Sequence, residues 1–133
     1  MALPSVGGGY QIGDGNVSEV QMFAQTAPQT ATATATLTAV QVTGGILVGG
    51  NGTTAASYTL PSVAAVEAVV GNAKVDSAFE IVIINTGTST GAVTVVAGTG
   101  WTLVGSATVA VTSSARYIAR KTGDGSWTLY RAA

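Results

Sequence analysis

Ala78 to Ile84 reads AFEIVII, a run of β-favouring residues interrupted only by Glu80 and closed by Asn85, Thr86 and Gly87. No other stretch restricts the fold as much. Its apolar side chains leave the strand toward both faces, which is stable only where both faces are covered. Downstream, segments of the same kind recur at Ala92–Ala97, Trp101–Val104, Ala107–Thr112, Ala115–Lys121 and Ser126–Arg131, each bounded by Gly, Ser or Thr. Short strands at such regular spacing predict an all-β sandwich of jelly-roll type with about eight strands.

The last two segments specify a hairpin. A three-residue loop Gly123-Asp124-Gly125, with Gly125 left-handed, sets Lys121 opposite Trp127, Ala119 opposite Leu129 and Tyr117 opposite Arg131. One face then sends Tyr117, Trp127 and Leu129 into the core, framed by two cations stacked on rings.

Upstream, Ala31–Thr38 alternates as ATATATLT, one strand with Ala and Leu on one face and Thr on the other. The phase slips at Val40 and Val42, which predicts a bulge near Ala39 or a change of covered face. Ile46–Val48 and Ser57–Leu60 read as further strands, and the glycines at 49, 50 and 52 as turn residues. After Pro61, Ser62 is a helix N-cap, and Val63, Val66 and Val70 carry helical spacing up to Gly71. One short helix is expected there, with Glu67 facing water. Val17–Phe23 has the pattern of a strand start. Met1–Gly15 reads as an extended arm ahead of a β-sandwich domain over 16–133, because Pro4 and two glycine clusters prevent regular structure while Leu3, Val6, Tyr10 and Ile12 supply apolar anchors.

Composition narrows the function classes. The chain has 133 residues, enough for one domain with a real core, but only 8% are charged, against roughly 25% in an ordinary soluble domain. A surface so poor in charge is either a neutral Thr/Ser surface or one buried against copies or partners, and the scarcity of charge in buried interfaces favours the second. The five basic residues are scattered, so there is no clustered cationic footprint for nucleic acid. No apolar run approaches the roughly 20 residues of a membrane span. MALPSVGGGY has neither a charged n-region nor an apolar h-region, so synthesis in a cytosol is expected.

Histidine and cysteine are both absent, which removes the usual general base, the commonest metal ligand and any thiolate chemistry. Asp14, Glu19, Glu67, Asp76, Glu80 and Asp124 share no motif, and Asp14, Asn16 and Ser18 do not complete a calcium loop. The expectation is therefore a non-enzymatic protein without cofactor or metal. Glu80 is expected in an ion pair with Arg116 or Arg120, or exposed at an interface, because an unpaired buried charge is costly. Tyr58, Phe79 and Trp101 are candidates for subunit contact or core.

From Thr59 to Tyr130 the chain resembles a module of tailed-phage virion proteins. The residues that carry it are TLPSVAAVEAVVGNAKVDSAFEIVIINTG, then VTVVAGTGWTLVGSATV, then ARYIARKTGDGSWTLYR. The Leu-Pro before a short Ala/Val helix, the Asn-Thr-Gly after an apolar strand and the Gly-Thr-Gly-aromatic-Thr turn are similar to those of capsid cement, or decoration, proteins. Similar modules form the heads of trimeric fibre-like virion proteins. The resemblance implies a jelly-roll sandwich, a homotrimer, and attachment to the major capsid protein on the capsid exterior of a virion built in the host cytoplasm. Leu3, Val6, Tyr10 and Ile12 would then be capsid contacts. The alternative is a receptor- or glycan-binding head of a tail fibre or spike, with Tyr10, Tyr58 and Trp101 as stacking aromatics.

Overall fold

The computed structural model describes residues 22–133. They form two packed sheets and two short helices. The larger sheet has six strands in the order β1-β3-β5-β9-β10-β7: β1 (Gln29–Ala31), β3 (Ile46–Gly49), β5 (Ala78–Asn85), β9 (Ser113–Gly123), β10 (Ser126–Arg131) and β7 (Trp101–Val104). The smaller has four in the order β2-β4-β6-β8: β2 (Ala35–Thr36), β4 (Ala56–Thr59), β6 (Val93–Val96) and β8 (Thr108–Val109). Helix α1 spans Ala39–Thr43 and α2 spans Val63–Val69.

The all-β sandwich is as the strand spacing predicts. The strand directions are not those of a jelly roll, which is antiparallel: five of the eight ladders run parallel. From β1 to β6 the chain alternates between the sheets, and each return lies parallel to its predecessor. Parallel neighbours need a long crossover connection. Here the strand of the opposite sheet is that crossover, aided by α1 before β3 and α2 before β5. The chain then crosses to the far edge as β7, returns as β8, and fills the larger sheet with the β9–β10 hairpin.

Between the sheets lies one continuous core that includes Leu37, Leu47, Tyr58, Ile81, Val95 and Trp127. Helix α2 follows the sequence closely. The Ser62 hydroxyl accepts from Ala65 N, and Val63 and Val66 are buried. The hairpin register also holds in all three pairs, and Tyr117, Trp127 and Leu129 are buried. Gly125 has φ of +71°. The turn is tighter than expected, however, because Gly123 already pairs with Ser126 and a bulge follows.

Three local expectations are corrected. ATATATLT is not one strand: it bends after Ala31 and crosses to the other sheet, leaving only Leu37 buried. The slip at Val40 and Val42 is neither a bulge nor a change of face but α1, so there are two helices rather than one. Thr38 and Gln41 form a reciprocal capping box, with Thr38 N donating to Gln41 Oε1 at 2.8 Å and Gln41 N donating to Thr38 Oγ1 at 3.2 Å. Met22 and Phe23 lie outside any strand. The arm, its anchors Leu3, Val6, Tyr10 and Ile12, and the rest of the Val17 strand start lie outside the described residues.

Candidate functional site

The loops joining the larger sheet to the smaller one meet at one end of the sandwich, and β5 delivers Asn85 into their centre. Its side chain is 1% exposed. Nδ2 donates to the carbonyls of Gly91 (3.1 Å), Val109 (3.0 Å) and Ala110 (3.2 Å), while Oδ1 accepts from Gly87 N at 2.8 Å. Thr86 Oγ1 adds a bond to Gly49 O at 2.7 Å. The Asn-Thr-Gly sequence is thus a clasp for backbone groups that would otherwise be buried without partners. Beside it the Tyr58 hydroxyl donates to Ala31 O and accepts from Gly50 N at 2.9 Å, so one phenol ties the ends of β1 and β3 to β4. Gly49 is required there, since a Cβ would stand 2.7 Å from that hydroxyl.

Tyr58 and Trp101 are core residues, 0% and 7% exposed. The Trp101 indole donates to Pro61 O at 2.8 Å, and neither ring offers a face to a ligand. Phe79 is partly buried against Trp127, with ring centroids 5.5 Å apart, and Trp101 lies 6.0 Å from Trp127 on the other side. Phe79 and Trp127, with Val70 and Ala73, line an open cavity of about 230 Å³ beyond the end of α2. Trp127 Nε1 is buried and has no acceptor among the described residues.

Six of the charged side chains meet in three ion pairs. Glu80 points outward and meets Arg116 at 2.8 Å, both half-exposed, as the sequence reading allowed. Arg120 bonds the Tyr130 hydroxyl and pairs with Asp76, and these contacts, the tyrosine's first, raise its already high pKa. Glu67, expected in water, is only 26% exposed. Its carboxylate takes Lys121 Nζ at 3.0 Å, and Nζ also donates to Ala73 O at 3.2 Å, pinning α2 to β9. Nothing near Glu67 in sequence signals this partner. The stacked cations are Arg131 over Tyr117 and Arg120 over Tyr130, each 5.9 Å from the ring centroid. Lys121 is taken by Glu67 instead of stacking on Trp127. Among the described residues no three His, Cys, Asp or Glu side chains gather into a cluster.

Burial raises the Tyr117 pKa above 10.0, against the lowering influence of Arg131. A phenol that ionises later in the folded than in the unfolded chain contributes stability that is complete below pH 10.0 and is lost as pH climbs toward the folded value. Melting temperature should therefore fall above that pH, and fall less steeply in Tyr117→Phe. An equal alkaline slope in the two proteins would contradict the assignment.

The surface that remains is defined by what it lacks. No charged residue occurs between Glu19 and Glu67, so β1 to β4 and α1 present Ala, Thr, Gly, Gln and aliphatic groups to the outside. Met22 and Phe23 are 89% and 86% exposed, and Val40 54%. Single exposed apolar residues are ordinary, but a whole uncharged flank marks a contact surface more than a solvated one. No known protein family, curated protein or solved structure matches the chain.

Proposed function

We propose that this chain is a structural virion protein, a homotrimeric cement protein that sits on the outside of a phage capsid and stabilises the lattice of the major capsid protein. The observation that carries the reading is the uncharged flank built by β1 to β4 and α1, four of the ten strands without one ion to desolvate. Desolvating charge is the main cost of covering a surface. The resemblance over Thr59–Tyr130 supports the same role. A cement protein binds several shell subunits at once, and three linked copies turn weak single contacts into firm attachment through effective concentration. Leu3, Val6, Tyr10 and Ile12 of the arm are the proposed grips on the shell. The receptor-binding alternative is less favoured, because Tyr58 and Trp101 are enclosed in the core.

The test is electron microscopy of particles assembled with and without the protein, together with a chain lacking Met1–Gly15. Trimeric density repeating with the lattice is expected, and the shortened chain should remain trimeric while binding shells more weakly. Undecorated particles, or density confined to the tail, would refute the role. Normal decoration by the shortened chain would refute the arm as the grip.

A further inference from the structure

A sheet face left in water alternates, apolar inward and polar outward. On the larger sheet this rule fails at two neighbouring strands. Along β5 the inward Ile81, Ile83 and Asn85 are buried, yet the outward Val82 and Ile84 are also aliphatic and only partly covered. β3 repeats the pattern, with Leu47 inward and Ile46 and Val48 outward. The parallel register places Ile46 beside Val82 and Val48 beside Ile84. These four β-branched side chains form a block with no polar member. On β9 and β10, Ile118 and its cross-strand neighbour Tyr130 form a second apolar pair, set apart from the block by Glu80 beside Ile118 and Arg116 beside Val82. The charges on this face are balanced, since Glu80 and Arg116 pair at 2.8 Å and Asp76 meets Arg120.

We propose that the outer face of the larger sheet is where copies of this chain meet, with Ile46, Val48, Val82 and Ile84 at the centre of the contact. The occupant is a second copy for two reasons. Glu80, Asp76, Arg116 and Arg120 leave the face without net charge, so three copies turned toward a common axis add none and can exchange carboxylate–guanidinium partners across each seam. Secondly, an aliphatic block on a regular sheet is a standing association hazard. The partner always present to cover it, from synthesis onward, is the chain itself, and permanently covered apolar faces are typical of obligate homo-oligomers. The inference rests on the homotrimer reading above and adds which surface is turned inward.

Because the chain has no cysteine, Val82→Cys introduces a single thiol of similar size, and Asp124→Cys in the exposed hairpin turn supplies the reference. The full chain is sized by analytical ultracentrifugation and its thiol labelled with a maleimide. Trimers are expected, with the thiol at 82 labelled at least an order of magnitude more slowly than that at 124. Val82→Lys should sediment as a folded monomer. Should that variant fail to fold, the labelling ratio of the cysteine pair still decides. Trimers labelled equally fast at both positions would overturn this face while leaving the homotrimer standing, whereas a wild-type monomer would overturn both. Slow labelling in a monomer would assign the cover to another part of the same chain. Protection appearing only on capsid particles would assign it to the shell. Either result refutes contact between copies.

Discussion

Asn85→Leu is expected to lower stability by about 3–5 kcal/mol, a fall of roughly 10–20 °C in melting temperature for a domain of this size. Leucine is nearly the same size, so packing is not what is lost. The loss is that of the polar contacts of one buried amide, whose two N–H hydrogens are shared among three carbonyls while Oδ1 accepts one N–H. The Gly91 and Val109 carbonyls and the Gly87 N–H are left buried without that partner, while Ala110 O keeps the Ser113 hydroxyl. Asn85→Asp should cost at least as much, because it aims a carboxylate oxygen at the carbonyls that Nδ2 now serves. Calorimetry decides. A loss under about 1 kcal/mol, the net value of one ordinary hydrogen bond, would mean that the loops are held by something else.

The second large effect is expected at the paired indoles. Trp127→Ala should cost about 3–5 kcal/mol through the cavity it opens between Phe79 and Trp101. The phenylalanine variants separate packing from polarity. Trp101 Nε1 has Pro61 O as its acceptor, whereas Trp127 Nε1 has none among the described residues. Trp101→Phe therefore loses a bond and strands a carbonyl, but Trp127→Phe loses only ring area and removes a buried orphan donor. Midpoints of urea denaturation, followed by circular dichroism, should rank Trp127→Phe above Trp101→Phe. The reverse order would mean that Trp127 has a partner, such as an enclosed water.

What could be read from the residues alone was local. The hairpin follows from a loop with one left-handed glycine, and α2 from a serine cap and three spaced valines, so both carry their instructions within a dozen neighbours. Helix α1 was legible in principle: Thr38-x-x-Gln41 is a capping-box spacing, but the Ala/Thr alternation before it reads as a continuing strand. The order of the strands was not legible. Segments such as Ile46–Gly49 and Val93–Val96 look alike, and nothing in their composition records whether the next one pairs beside them or crosses to the opposite layer. Asn85 shows the same limit, since its partners near Gly91 and Val109 belong to loops that only the folded topology brings together. Glu67 and Lys121, far apart in sequence, meet for the same reason. The apolar run of β5 did announce two faces to be covered, and in the isolated chain one of them is covered only in part.

The winding of the first six strands carries a consequence for how such a protein changes length. Every circuit contributes one strand to each layer and ends where it began, displaced by a single strand spacing. A circuit gained or lost ahead of β3 would widen or narrow the slab without altering its thickness, its helix-bearing end or the hairpin at its far side. Relatives of this chain would then differ by whole circuits, each a pair of short strands with its linking turn, rather than by isolated insertions.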